Sequence, residues 1–173
     1  HWLTVPAVLE KYAVHYRTGE AMPKALLDKV LAARSFNAGF NTVEFTSSAL
    51  VDMAFHTGTE KISDPLALEA ATLKKLSMPD AIIMRHRTPH FTHVFSGDGY
   101  SAGYYSYMWS EVLDADAFSA FEETGDAFNP ELAAKLKQYI YSAGGSRDPE
   151  ELYKAFRGKM PTPDAMIEKR GLN

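Results

Sequence analysis

Short polar residues followed at once by proline stand at Asp64-Pro65, Asn129-Pro130, Asp148-Pro149 and Thr162-Pro163. At a helix start the polar side chain accepts an orphan backbone N–H, and proline loses nothing at the first helical position, where its own N–H would be unpaired. Each pair therefore predicts a helix start. Gly19, Gly144, Gly158 and Gly171 stand just past apolar-periodic stretches, where the left-handed stop conformation is least costly for glycine. Between these marks the apolar residues recur three and four apart. Val5, Leu9, Tyr12 and Tyr16 make one stripe, and Leu26, Leu27, Val30 and Leu31 open another. No proline interrupts the chain from Pro23 to Pro65, so residues 24–56 read as one long helix or two stacked ones. Leu66, Leu73 and Leu76 face one way on a later helix, as do Leu132, Leu136, Tyr139 and Ile140, and then Leu152, Ala155 and Phe156. Strand alternation is nearly absent. Only residues 82–95 look extended or looped, ahead of the turn cluster Ser96-Gly97-Asp98-Gly99. The expectation is an all-α fold, with residues 1–173 forming a single helical domain.

Composition narrows the functional classes. With 18 Lys and Arg against 22 Asp and Glu, the net charge of −4 lacks the electrostatic footprint of a nucleic-acid binder. The longest apolar runs, Val30 to Ala33 and Ala81 to Met84, fall far short of the roughly 20 residues that a bilayer-spanning helix needs. With no Cys there is no thiolate nucleophile and no Cys-ligated metal site. No basic stretch followed by an apolar core marks the first residues as a signal peptide. A chain that opens on His1-Trp2-Leu3-Thr4 is expected to have been cut from something longer.

Three features between residues 85 and 112 rise above the helical background. His86, His90 and His93 have spacings of four and three, which on one helix face could hold a metal, but Pro89 inside the group works against that convergence. The ordinary alternative is a set of surface histidines beside Arg85 and Arg87. The glycine loop can move as a hinge or admit a ligand backbone; it is no phosphate loop, since no Gly-Lys-Ser or Gly-Lys-Thr follows. The third feature is a tyrosine-rich stretch that helical spacing separates into two faces. Tyr100, Tyr104, Tyr107 and Glu111 lie on one, and Tyr105, Trp109, Val112 and Leu113 on the other, which reads as core. An aromatic stripe of this kind is most simply core; three phenols in a row beside an imidazole also make equipment suited to holding an oxyanion. The complementary half of such a site is missing. No histidine is followed by Glu, so the zinc-protease pattern His-Glu-x-x-His does not occur.

The run His90-Phe91-Thr92-His93-Val94-Phe95-Ser96-Gly97-Asp98-Gly99-Tyr100, continued by Ala102-Gly103-Tyr104-Tyr105-Ser106-Tyr107-Met108-Trp109-Ser110-Glu111-Val112, resembles the substrate-binding segment of the thimet-oligopeptidase family of zinc metallopeptidases. It is most similar to the bacterial peptidyl-dipeptidase branch, because the loop before Tyr100 is longer than in the eukaryotic oligopeptidases. His1-Trp2-Leu3, Arg34-Ser35-Phe36-Asn37, Gly144-Gly145-Ser146-Arg147-Asp148-Pro149 and Phe156-Arg157-Gly158 extend the likeness over essentially the whole chain.

The resemblance implies a mostly helical, two-lobed, cytoplasmic enzyme that admits short unstructured peptides to a deep channel and releases C-terminal dipeptides. It implies that Tyr107 and His93 act on the scissile carbonyl or its oxyanion. Tyr100 and Tyr104 would grip the substrate, and Gly97 and Gly99 would let the loop close over it. The family's zinc ligands and general-base glutamate have no counterpart here. Zinc is thus expected in the complete parent enzyme and not on this chain, which should be inert alone and would need an N-terminal zinc-bearing lobe as partner. Apolar surface left bare by that lobe would favour self-association. The alternative is a stand-alone α-helical peptide-binding module without catalysis.

Overall fold

A computed structural model describes residues 1–59 and 61–172. Among the described residues it holds helices and turns with no strand; an isolated antiparallel bridge joins Val14 and Ala21. The all-α expectation therefore holds. The helices are α1 (Pro6–Tyr12), α2 (Lys24–Ala32), α3 (Ala38–His56), α4 (Pro65–Lys75), α5 (Thr92–Phe95), α6 (Ser106–Glu123), α7 (Pro130–Leu136), α8 (Pro149–Arg157) and α9 (Asp164–Arg170). None is long and apolar enough to cross a membrane.

Three of the four proline starts behave as their chemistry requires. Asp64 accepts the Ala67 N–H, Asn129 those of Glu131 and Leu132, and Asp148 that of Glu150, each with proline in the first helical positions. The fourth differs by one step: Thr162 donates its hydroxyl to the Asp164 carboxylate at 2.7 Å, and α9 begins after Pro163. Gly158 and Gly171 end α8 and α9 at φ +83° and +66°, the left-handed stops expected of them. Gly19 is not a helix stop. Helix α1 finishes at Tyr12, and Gly19 lies in a turn whose N–H reaches the His15 carbonyl. Tyr12 and Tyr16, read as part of a buried stripe, are accordingly exposed. Residues 24–56 form two helices, not one. A 3₁₀ turn over Ala33–Ser35 and a left-handed Asn37 at φ +55° break the run, a conformation asparagine tolerates better than most residues.

The chain divides into two compact units, His1–Phe36 with Glu111–Asn173, and Asn37–Ser110. In the first, Ala120, Phe121, Tyr153 and Phe156 form the core, with Trp2, Leu113, Leu132, Leu136 and Ile140 packed against it. A buried charge group accompanies this core. Asp116 receives the Tyr153 hydroxyl at 2.7 Å and Arg157 Nε at 3.1 Å, while Arg157 also pairs with Glu123. Such a group is tolerable only because each charge has partners. In the second unit Val51, Met84, Phe91 and Val94 make the core, with Phe55, Leu73 and Tyr104 against it.

Glu69 of α4 fixes the irregular segment that leads to the site. Its carboxylate is buried and accepts the Thr88 N–H at 2.8 Å and Arg87 Nε at 3.1 Å. Burial pushes its pKa up, but the Thr88 and Arg87 hydrogen bonds and the Arg87 charge outweigh that and hold it below the usual carboxylate value. With the folded-state pKa depressed, this contribution is present in full above the unfolded value of about 4.3 and is lost as pH falls through the folded value. Glu69→Gln is expected to cost about 1–3 kcal/mol at pH 7 and less as the pH falls through the folded-state value, measured by urea unfolding across the acid range.

Candidate functional site

The second unit gathers the tyrosines and histidine singled out in the sequence. A 3₁₀ turn, Thr88–His90, leads into the single turn of α5, Thr92–Phe95. Phe91 and Val94 are buried in the core. His93 is left on the exposed side, because Phe91 two before it and Val94 one after it turn inward. The imidazole Nε2 lies 3.0 Å from the Tyr107 hydroxyl. The Tyr100 ring sits 4.4 Å from the His93 ring, that of Tyr104 5.7 Å away edge-on, and that of Tyr107 5.9 Å away.

The tyrosines do not share one helix. Residues 100–105 form turns, and α6 begins only at Ser106, so Tyr107 alone of the three stands on a helix. Two features explain the departure. Ala102 is left-handed at φ +57°, and a Cβ on Gly103 would lie 3.2 Å from the Tyr100 carbonyl oxygen. The turn still converges the rings on His93. Tyr100 and Tyr107 remain about half exposed at 49% and 46%, so they are not sealed as core. The opposite face is not core throughout either: Tyr105 and Trp109 are exposed, while Leu113 packs on the core of the first unit. Glu111 leaves the tyrosine row altogether and pairs with Arg170 of α9.

The phenol of Tyr107 is a hydrogen-bond donor at neutral pH. Partial desolvation, then the neighbouring Tyr100 and Tyr104 phenols, push its pKa above the ordinary value. One of Tyr107 and His93 donates to the other, in a direction set by the His93 tautomer, and the pair is open to solvent.

Gly97 and Gly99 lie in the loop before this cluster. Neither has a positive φ, and a Cβ built on either meets nothing within 4 Å. The Ser101 hydroxyl reaches the Val94 and Gly97 carbonyls at 3.3 and 3.2 Å and braces the loop. His86, His90 and His93 are not assembled: His86 stacks on Phe91 and His93 on Tyr100, and no group of three His, Asp or Glu among the described residues is placed to hold a metal.

Sequence reading missed Asp52 and His56 of α3. Asp52 is fully buried and accepts the backbone N–H groups of Ala102 and Tyr104 at 3.1 and 3.0 Å. The available signal was a carboxylate and an imidazole four apart within the otherwise apolar run Leu50-Val51-Asp52-Met53-Ala54-Phe55-His56.

A model of Peptidase family M3 matches residues 1–172. The chain belongs to peptidase family M3. It is 40% identical to the dipeptidyl carboxypeptidase of Escherichia coli K12 over all of its own length and 26% of that protein, and 42% identical to oligopeptidase A of the same organism over 99% and 25%. A probable cytosolic oligopeptidase A of Arabidopsis thaliana is 37% identical over 99% of the chain and 25% of its own length. The chain thus spans about a quarter of the length of these M3 relatives. The identities of 40% and 42% set it equally near the two bacterial enzymes.

Tyr107→Phe removes the hydroxyl that faces His93. The nitrogen chemical shift of His93 Nε2 is expected to move, while the stability of the chain stays within about 0.5 kcal/mol of the original. Two-dimensional imidazole spectra and a thermal melt check the two parts.

Proposed function

We propose that this chain forms the substrate-binding part of an M3 peptidase that hydrolyses short peptides and releases C-terminal dipeptides. The observation that carries the reading is the 3.0 Å approach of His93 Nε2 to the Tyr107 hydroxyl, ringed by Tyr100 and Tyr104 on an exposed face. A peptide carbonyl brought to this pair gains a phenol donor, joined by an imidazole N–H whenever Nε2 carries hydrogen, and such donors stabilise charge that builds on the oxygen. Tyr100 and Tyr104 offer aromatic faces and further hydroxyls to the peptide backbone or its C-terminus. The loop at Gly97 and Gly99 has open space about it that a bound peptide can occupy.

Zinc in such an enzyme supplies an activated water. The residues described here do not fit that ion, since no three His, Asp or Glu are grouped for it. The proposal therefore assigns this chain the grip on substrate, and assigns the metal to an N-terminal lobe. The bacterial and plant relatives, about four times as long, support that division, and the cytosolic relative supports a cytoplasmic setting. Phe40, Val43 and Leu50, exposed along one stripe of α3, are proposed as apolar surface for that lobe to cover.

Titrating the chain with a short blocked peptide is expected to shift the ring signals of His93 and Tyr107, with His93→Ala weakening binding by about tenfold, the effect of losing one good hydrogen bond. An unchanged spectrum at millimolar peptide defeats the reading. Adding zinc should release no dipeptide above a metal-free control; turnover would show that the chain carries its own metal site. Size-exclusion chromatography is expected to give a species larger than the 19.2 kDa monomer, and a clean monomer would count against the exposed stripe as a docking surface.

A further inference from the structure

The tyrosine turn is held by a carboxylate that accepts hydrogen bonds from its backbone. Asp52 lies one turn before the C-terminal end of α3, and its side chain is fully buried. Oδ1 accepts the Ala102 N–H at 3.1 Å and Oδ2 the Tyr104 N–H at 3.0 Å, so its two oxygens straddle Gly103. His56, one helical turn further on, brings Nδ1 to 2.8 Å from Asp52 Oδ1 and 2.9 Å from the Asp52 carbonyl. Both partners of that nitrogen are acceptors, so Nδ1 carries a hydrogen. A buried carboxylate needs such donors, and here two of the three come from one turn 50 and 52 residues away in sequence.

We propose that Asp52, oriented by His56, is a positioning residue that sets the geometry of Tyr100 and Tyr104 around His93, and so the affinity for peptide. This role rests on the peptide-binding reading above. Two features of the turn give the clamp something to do. Ala102 adopts a left-handed conformation that an alanine enters only at a cost, and Gly103 packs close to the Tyr100 carbonyl. The two Asp52 hydrogen bonds fall on Ala102 itself and on Tyr104, either side of the glycine. They offset the unfavourable backbone where it occurs. The Tyr104 ring is then stacked on Phe45 at 5.1 Å and edge-on to Phe91 at 5.0 Å, which carries the setting of the backbone out to the ring.

Asp52→Asn keeps the shape but puts an NH2 group opposite one of the two N–H donors. In the full chain, amide hydrogen exchange at Ala102 or Tyr104 is expected to quicken by about tenfold, the ring signals of His93 and Tyr104 to shift, and affinity for a short blocked peptide to fall by a similar factor. Adding Ala102→Gly to this variant removes the left-handed penalty and should restore about threefold to tenfold of the lost affinity. Because this relief also stabilises the fold as a whole, Ala102→Gly with Asp52 in place serves as the control, and its affinity is expected to stay near the original. Should Asp52→Asn fail to fold, His56→Gln, at a partly exposed position, is expected to produce the same changes to a smaller extent. Folded variants with original exchange at Ala102 and Tyr104 and unmoved ring signals would overturn the clamp. If the unsubstituted chain binds no peptide while the variants do quicken exchange, the peptide-binding reading fails and takes the affinity role with it, leaving the clamp as a feature of the turn alone.

Discussion

A carboxylate removed from water must find hydrogen-bond donors, and Asp52 finds them in the backbone of the tyrosine turn. That requirement ties α3 to residues 100–105 and makes the arrangement of the second unit mutually dependent. The core residues Val51, Phe91 and Val94 enclose the carboxylate's surroundings, and Phe91 and Val94 in turn leave His93 facing outward between them. Glu69 plays a matching part at the other end of the segment by binding Thr88 and Arg87. Two acidic side chains on α3 and α4 thus anchor the entry and the exit of a stretch that has little regular structure of its own.

Helix content was legible because its cues are local. A capping side chain and the proline after it act within one turn, so Asp64, Asn129 and Asp148 could be read without knowing what packs above them. Tyr16 failed for the same reason in reverse. Apolar spacing continued past Tyr12, while the chain turns between His15 and Gly19 and leaves the Tyr16 ring exposed. The tyrosine row is a subtler case. Helical spacing placed Tyr100, Tyr104 and Tyr107 together; the structure brings them together through a tight turn followed by a helix. Asp52 and His56 stand out as a polar pair in an apolar run, but nothing near residue 52 announces a partner fifty positions on.

The first unit shows how a different solution to buried charge works. Asp116, Arg157, Glu123 and Tyr153 satisfy one another by side chains, close to a core of Phe121 and Phe156. Burial and the Asp116 carboxylate drive the Tyr153 phenol well above its ordinary pKa, so it is a donor to Asp116 at neutral pH. In the second unit the donors to Asp52 are mostly peptide groups, and the consequence is a turn fixed in shape and not merely a pair of helices fixed in place. Membership of family M3 gives that fixed turn its interest, because the same turn presents the rings proposed to meet a peptide.

The open space around Gly97 and Gly99 has a practical consequence. The chain contains no cysteine, so a single thiol introduced at either glycine would be unique in the molecule and could carry a fluorophore or a spin label without steric conflict. From there a probe would stand beside the His93 cluster and report, in real time, the arrival and departure of whatever settles on it.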